Sequence, residues 1–240
     1  MRQASGRIIA VCLVLLVALA CGGNPAAPSA SGLVKIMPLG DSITQGELEG
    51  EGYRRGLWFK LNAAGFKVDF VGSMDTPYKS PGSGDYDPDH EGHSGWTADR
   101  ILESMQELAE QAEPDIVLLH VGTNDLIANE SVAGTVREIR QIIDILRLQN
   151  PQVVVLLAQI IPGENPKLYG SIVLLNAMLA DAIEGFQVGG SPVILVDQFT
   201  GFDFRADTFD GLHPNAPGAA KMVEVWFAAL EPVLREREGK

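Results

Sequence analysis

Ile36-Met37-Pro38-Leu39-Gly40-Asp41-Ser42-Ile43-Thr44-Gln45-Gly46 is the stretch on which the reading of this chain turns. The largely apolar run from Leu33 to Leu39 stops at Gly40, and a helical pattern follows further on. The stretch therefore reads as a buried first strand that turns sharply toward a helix. A serine at such a turn presents its hydroxyl at the carboxyl edge of a sheet. Its own backbone N–H then lies near a helix N-terminus, where developing negative charge is stabilised. Ser42 is thus a candidate nucleophile. Asp and Ser also close ordinary turns and cap ordinary helices, so this stretch alone leaves both readings open.

Working outward, Tyr53 to Ala64 carries Leu57, Trp58 and Leu61 at helical spacing, and Val68 to Val71 is a short β-branched run. A Gly/Pro/Asp-rich loop from Gly72 to Gly95 is long for a compact domain, where such loops are usually functional or disordered. Thr97 to Glu113 has Ile101, Leu102, Met105 and Leu108 on one stripe, with Pro114 ending the helix. Ile116 to Val121 is a continuous apolar run suited to a strand buried on both faces. Val132 to Gln149 is the next helix, with Val136, Ile139, Ile142, Ile143 and Leu146 inward. Val153 to Ala158 is the fourth strand, Tyr169 to Phe186 a helix, Val193 to Val196 the fifth strand, and Ala219 to Leu234 a closing amphipathic helix. Five strands alternating with five helices predict an α/β fold, a parallel sheet covered on both faces, because each crossover needs its helix.

Upstream, Arg2 and Arg7 precede an apolar stretch from Ile8 to Ala20, too short for a membrane span and followed by Cys21. This predicts a signal peptide over 1–20, a Pro/Ala/Ser-rich tether over 21–32 and one domain over 33–240. Ala18-Leu19-Ala20-Cys21 resembles a lipoprotein cleavage box with Cys21 as the lipidated residue, and Ala18-x-Ala20 also fits ordinary secretory cleavage. Either way the protein is expected to be exported, as a cell-envelope lipoprotein or as a secreted or periplasmic protein. Of the two cysteines, Cys12 lies inside the signal, so no intrachain disulfide is available. The net charge of −13 argues against a nucleic-acid partner. Membrane contact is expected only through the N-terminal lipid.

Three polar clusters follow strands, and in an open α/β sheet such loops share the ligand-binding carboxyl edge. Asp210-x-x-His213 can place a carboxylate on imidazole Nδ1, leaving Nε2 to accept the Ser42 proton, or His213 can simply cap the last helix. Asp203 and Asp207 lie near enough in sequence to stand in for Asp210. Asn124 is either a turn residue or an amide N–H donor to an oxyanion. Within Ser94-Gly95-Trp96, Gly95 offers a backbone N–H that a substrate can approach closely.

Together these residues resemble the SGNH (GDSL-type) hydrolase family over Val34 to Leu234. Gly40-Asp41-Ser42-Ile43-Thr44-x-Gly46, His93-Ser94-Gly95-Trp96-Thr97, Gly122-Thr123-Asn124-Asp125 and Asp210-x-x-His213-Pro214 match its first, second, third and fifth blocks, in order. Ile43 stands where the name "GDSL" has Leu. The resemblance implies a flavodoxin-like three-layer sandwich with strand order 2-1-3-4-5. It also implies Ser42 as nucleophile, His213 as general base and acid, Asp210 as orienting carboxylate, and an oxyanion hole from Ser42 N–H, Gly95 N–H and the Asn124 side chain. No metal or cofactor is needed for that chemistry.

Within the family, the Ile36–Thr44 stretch, Gly52-Tyr53-Arg54 and His90-Glu91-Gly92-His93-Ser94-Gly95-Trp96-Thr97 look most like family 3 carbohydrate esterases, which deacetylate xylan. Asp41, Tyr53, Arg54 and Trp96, with Tyr86, are then candidate substrate contacts. The expected partner is a small ester or acetylated oligosaccharide. A lysophospholipase or thioesterase with the same triad, and a non-catalytic glycan-binding lipoprotein, are the competing readings. His90-x-x-His93 beside Asp87 and Asp89, and the Asp85-x-Asp87-x-Asp89 loop, offer weak metal-site patterns that lack a third fixed ligand or an EF-hand spacing.

Overall fold

The computed structural model describes residues 32–46, 52–75 and 85–239. The stretch read as a signal peptide, nearly all of the stretch read as a tether, and Cys21 lie outside the described residues, as does part of the long loop. The sheet is built on β1 (Val34–Gly40), which pairs in parallel with β2 (Val68–Phe70) on one edge and β4 (Ile116–His120) on the other. β4 pairs with β5 (Val154–Gln159), and β5 with β6 (Val193–Asp197), again in parallel. Every residue of β4 is buried, as expected of a strand covered on both faces.

Side chains alternate across the sheet with the period of two that a strand imposes. Met37, Leu39, Val117, Leu119, Val155 and Leu157 pack under α3 (Ala98–Ala112), α5 (Val132–Gln149) and α6 (Pro166–Ala182). Ile36, Ile116, Leu118, Val154 and Leu156 pack under α2 (Tyr53–Ala63) and the closing helix Ala216–Glu238. Two apolar layers therefore sandwich the sheet. Its five longer strands run in the order second, first, third, fourth, fifth along the chain, as the resemblance implies.

The structure adds a sixth strand, β3 (Glu91–Gly92), which pairs with Leu39 and Gly40 and continues the β2 edge of β1. Two residues inside a Gly/Asp-rich loop carry no periodicity, so the sequence does not announce it. A side chain at Gly92 would collide with the backbone of Gln45, so this glycine lets the turn after β1 lie directly on β3. The one-turn helices α1 (Ser42–Gln45), α4 (Thr123–Ile127) and α7 (Phe204–Asp207) are likewise too short for a periodic signal; the closing helix is α8.

The segment read as one helix from Tyr169 to Phe186 is α6 followed by a 3-10 turn, Ile183–Phe186. Asn165 accepts from the N–H groups of Lys167 and Leu168, and Pro166 opens the helix, which moves its start three residues upstream. Leu174 belongs to its apolar sequence but points outward, 51% exposed, beside Val173 at 44% and Tyr169 at 39%.

Candidate active site

At the carboxyl end of β1 the chain turns into α1. Asp41 caps that helix, its Oδ1 accepting the Ile43 N–H at 3.0 Å. Ser42 is the first residue of α1, so its N–H has no intrahelical acceptor and points out of the helix N-terminus. Its side-chain Oγ lies 2.9 Å from His213 Nε2, and His213 Nδ1 lies 2.7 Å from Asp210 Oδ2. Asp210 Oδ1 accepts the N–H groups of Leu212 at 3.0 Å and His213 at 2.7 Å. Nδ1–H donates to the carboxylate, which leaves Nε2 as acceptor for the Ser42 hydroxyl. Partial burial pushes the Asp210 carboxyl up, but the backbone and ring hydrogen bonds from His213, with that of Leu212, outweigh it and hold the group below its ordinary value. Asp210 is therefore ionised at neutral pH.

Neither neighbouring aspartate is placed to replace it. Asp203 caps α7 through Arg205 N–H, and the buried Asp207 pairs with Lys221 Nζ at 2.6 Å while accepting Asp203 N–H at 2.7 Å.

The second and third loops start from strands that flank the end of β1. His93 N–H donates to the Gly40 carbonyl at 2.9 Å, and the chain then makes a turn in which Gly95 sits at φ +77°, a conformation that favours glycine. The Gly95 N–H meets no acceptor among the described residues. After β4, Asn124 Nδ2 donates to the Trp96 carbonyl at 2.9 Å, leaving its second N–H for another acceptor. The next residue, Asp125, accepts the Ala98 N–H at 3.0 and 3.1 Å and so caps α3 from outside, where Thr97 makes no side-chain cap. Burial raises the Asp125 carboxyl despite that bond. The residues of all four sequence blocks thus meet at one edge of the sheet, linked by hydrogen bonds.

The proposed substrate contacts at Asp41, Tyr53, Arg54 and Tyr86 are corrected by burial: they are 0, 1, 2 and 7% exposed and offer a ligand almost no surface. They brace the Ser42 turn instead. Arg54 donates from Nε to the Thr44 carbonyl at 2.9 Å, from Nη2 to the Gln45 carbonyl at 3.0 Å and from Nη1 to the Pro88 carbonyl at 2.7 Å. It locks the C-terminus of α1 onto the long loop, a role that no spacing in the sequence reveals. Burial lowers its pKa, pushes the Tyr53 hydroxyl up to about 12, and pushes the Asp41 carboxyl up to about 7. Trp96 remains partly exposed, with its ring stacked on His93 at 3.9 Å and lying under Arg100 at 5.3 Å.

The loop metal patterns also come apart. His90 Nδ1 accepts the Gly92 N–H, Asp87 accepts the N–H groups of Phe70 and Asp89, and His93 turns to Glu91. Among the described residues, Asp125, Glu130 and Glu138 place carboxylate oxygens within 4.8 Å of one another. Both Asp125 oxygens are already engaged by Ala98. His120, missed in the sequence reading, ends β4 opposite Gly40, fully buried, with neither ring nitrogen hydrogen-bonded; burial pushes it down to about 4. Beside Asp210 opens a groove of about 440 Å³, walled by Leu126, Ile127, Leu168 and Leu212 and rimmed by Asn129, Glu164 and Lys167.

A parallel α/β sandwich with a hydrogen-bonded Ser-His-Asp chain at its carboxyl edge defines the class of serine-hydrolase-like folds. The chain belongs to the GDSL-like Lipase/Acylhydrolase family, whose sequence model matches residues 39–221. It is 34% identical to a multidomain esterase of Ruminococcus flavefaciens, with 90% of this chain aligned, and it spans 31% of that relative's length. The crystal structure of a family 3 carbohydrate esterase from Talaromyces cellulolyticus superposes with a TM-score of 0.77 at 31% identity, covering 85% of this chain and 99% of that one. A family 3 carbohydrate esterase from Clostridium thermocellum gives 0.74 at 34% identity, with coverages of 85% and 98%.

Proposed function

We propose that this chain is a serine esterase that removes acetyl groups from carbohydrate, with xylan or its oligosaccharides as the substrate class, through an acyl-enzyme. The observation that carries the reading is the Ser42–His213–Asp210 chain, with bonds of 2.9 and 2.7 Å. The names of its family 3 relatives support the choice of carbohydrate. Ser42 Oγ attacks the ester carbonyl carbon as His213 Nε2 takes its proton; the C–O bond to the sugar breaks, and the proton passes to the leaving oxygen. Water then attacks the acetyl-serine with His213 as base, releasing acetate and restoring Ser42. The Ser42 and Gly95 N–H groups and the second Asn124 N–H stabilise the oxyanion in both halves. Export through residues 1–20, with lipid attached at Cys21, belongs to the same proposal; Cys21→Ser should then release the protein from membranes.

The test is a panel of esters on the purified protein: acetylated xylo-oligosaccharide, p-nitrophenyl acetate, and medium-chain acyl esters. Acetyl substrates should lead, and Ser42→Ala should lower turnover by roughly 10⁴-fold. A preference for medium chains would move the assignment toward a lysophospholipase or thioesterase. Activity above a tenth of the parent in Ser42→Ala would end the serine mechanism.

A further inference from the structure

We propose that His93 is a positioning residue that fixes the Gly95 N–H for oxyanion binding, acting through Glu91 beneath it and Trp96 beside it; this rests on the reading of Gly95 given above. Ser94 and Gly95 are solvent-exposed, and within the turn the backbone closes only through Trp96 N–H to the His93 carbonyl at 3.1 Å. Ser94 N–H reaches out to Gln45 Oε1 at 2.8 Å. An oxyanion donor must be held to within a fraction of an ångström before the charge develops, so an exposed turn at a positive-φ glycine needs support from below.

Glu91 supplies a fixed point. Its side chain is fully buried, and its carboxylate accepts Ser73 N–H at 2.7 Å, Ser73 Oγ–H at 2.8 Å and His93 Nε2–H. A buried carboxylate with three donors is held in place by the cost of leaving any of them unpaired. The His93 ring, 12% exposed, transfers that rigidity upward. Its edge bonds Glu91, and its face stacks on Trp96 with centroids 3.9 Å apart and planes 13° from parallel. The Trp96 carbonyl in turn accepts from Asn124 Nδ2 at 2.9 Å. Glu91, His93, Trp96 and Asn124 therefore form one continuous support joining two of the three oxyanion donors. The imidazole gives this path both an in-plane N–H and a stacking face: phenylalanine keeps the face without the bond, and glutamine keeps the bond without the face.

The experiment compares the full chain with His93→Phe, His93→Gln and Glu91→Gln. It measures kcat and KM on p-nitrophenyl acetate, affinity for a trifluoromethyl ketone whose hemiketal oxyanion occupies the same hole, and melting temperature. We expect His93→Phe to lose about 10- to 100-fold in kcat with KM within about threefold. Its affinity for the ketone should fall by the same factor, and His93→Gln should recover part of both. Unchanged kcat in folded His93→Phe, or a loss of kcat without a matching loss of ketone affinity, would overturn the proposal. If His93→Phe does not fold, the same two readouts on Glu91→Gln and His93→Gln decide it. Failure of the parent itself to turn over the ester and bind the ketone would count against the esterase mechanism instead, which separates the two.

Discussion

Asn124 reaches across the active-site edge to the Trp96 carbonyl at 2.9 Å, so the turn after β4 is bonded to the turn that presents Gly95. Asn124→Ala removes that link and, on the proposed mechanism, one oxyanion donor. It should lower kcat by about 10²- to 10³-fold with little change in KM, because the donor meets charge that exists mainly in the transition state. Melting temperature measured beside kcat discriminates: an unstable mutant with parental kcat per folded molecule would remove Asn124 from the site.

Asp210 has no understudy in the fold, although the sequence offers two. With Asp207 tied to Lys221 and Asp203 tied to Arg205 N–H, Asp210→Asn should lower kcat by roughly 10³- to 10⁴-fold. Adding Asp203→Ala should leave the residual rate unchanged. A further drop in the double mutant would show that Asp203 takes over as carboxylate.

Arg54 holds three carbonyls from a position 2% exposed. Arg54→Ala strips the donors from the Thr44, Gln45 and Pro88 carbonyls and should destabilise the fold by about 2–4 kcal/mol. Arg54→Lys should recover little of this, since an ammonium lacks the planar fork that reaches all three. Chemical denaturation of the two mutants checks it, and equal stability of Arg54→Lys and parent would contradict the clamp.

Stability should fall with acid, and His120 should account for part of the fall. Its folded pKa of about 4 lies below the unfolded value near 6.5, so below the latter the unfolded chain binds a proton that the folded chain refuses. The contribution is therefore intact above about pH 6.5 and is lost as pH falls toward 4. His90, pushed by burial down to about 3, acts in the same sense. His120→Leu should melt several degrees above the parent at pH 4.5 relative to their difference at pH 7.5. A pH-independent difference between the two would exclude His120 from the acid limb.

Asp41 works in the opposite direction. Burial sets its folded pKa at about 7 against an unfolded value near 3.9, so the folded chain holds the proton more tightly. Stability from this group is full below about pH 4 and is lost as pH rises through 7. Asp41→Asn keeps an oxygen for the Ile43 N–H and should gain stability over the parent at pH 8.5 that it does not show at pH 4. Melting curves at the two values test this, and a larger gain at the acid end would reverse the sign.

The sequence by itself determined the layers and the family, because these follow from periodicities and from turn residues at fixed offsets, while the strand order came only through the family resemblance. Val132–Gln149 coincides with α5, and Ile116–Val121 runs one residue beyond β4, since long apolar repeats are local signals. Ser42, Asn124, Asp210 and His213 were legible for the same reason: each lies in a short block whose residues sit side by side in the chain. What the tertiary structure decided is everything that depends on partners distant in sequence. Tyr53 and Arg54 read as ligand contacts beside a functional motif, yet they are buried braces, because burial is set by packing between α2, the α1 turn and the long loop. Glu91 becomes a fixed carboxylate only when Ser73, 18 positions away, closes on it. Asp207 is tied down by Lys221, 14 positions on. Such pairings leave no trace in spacing, since a hydrogen bond fixes distance in space and is indifferent to separation along the chain.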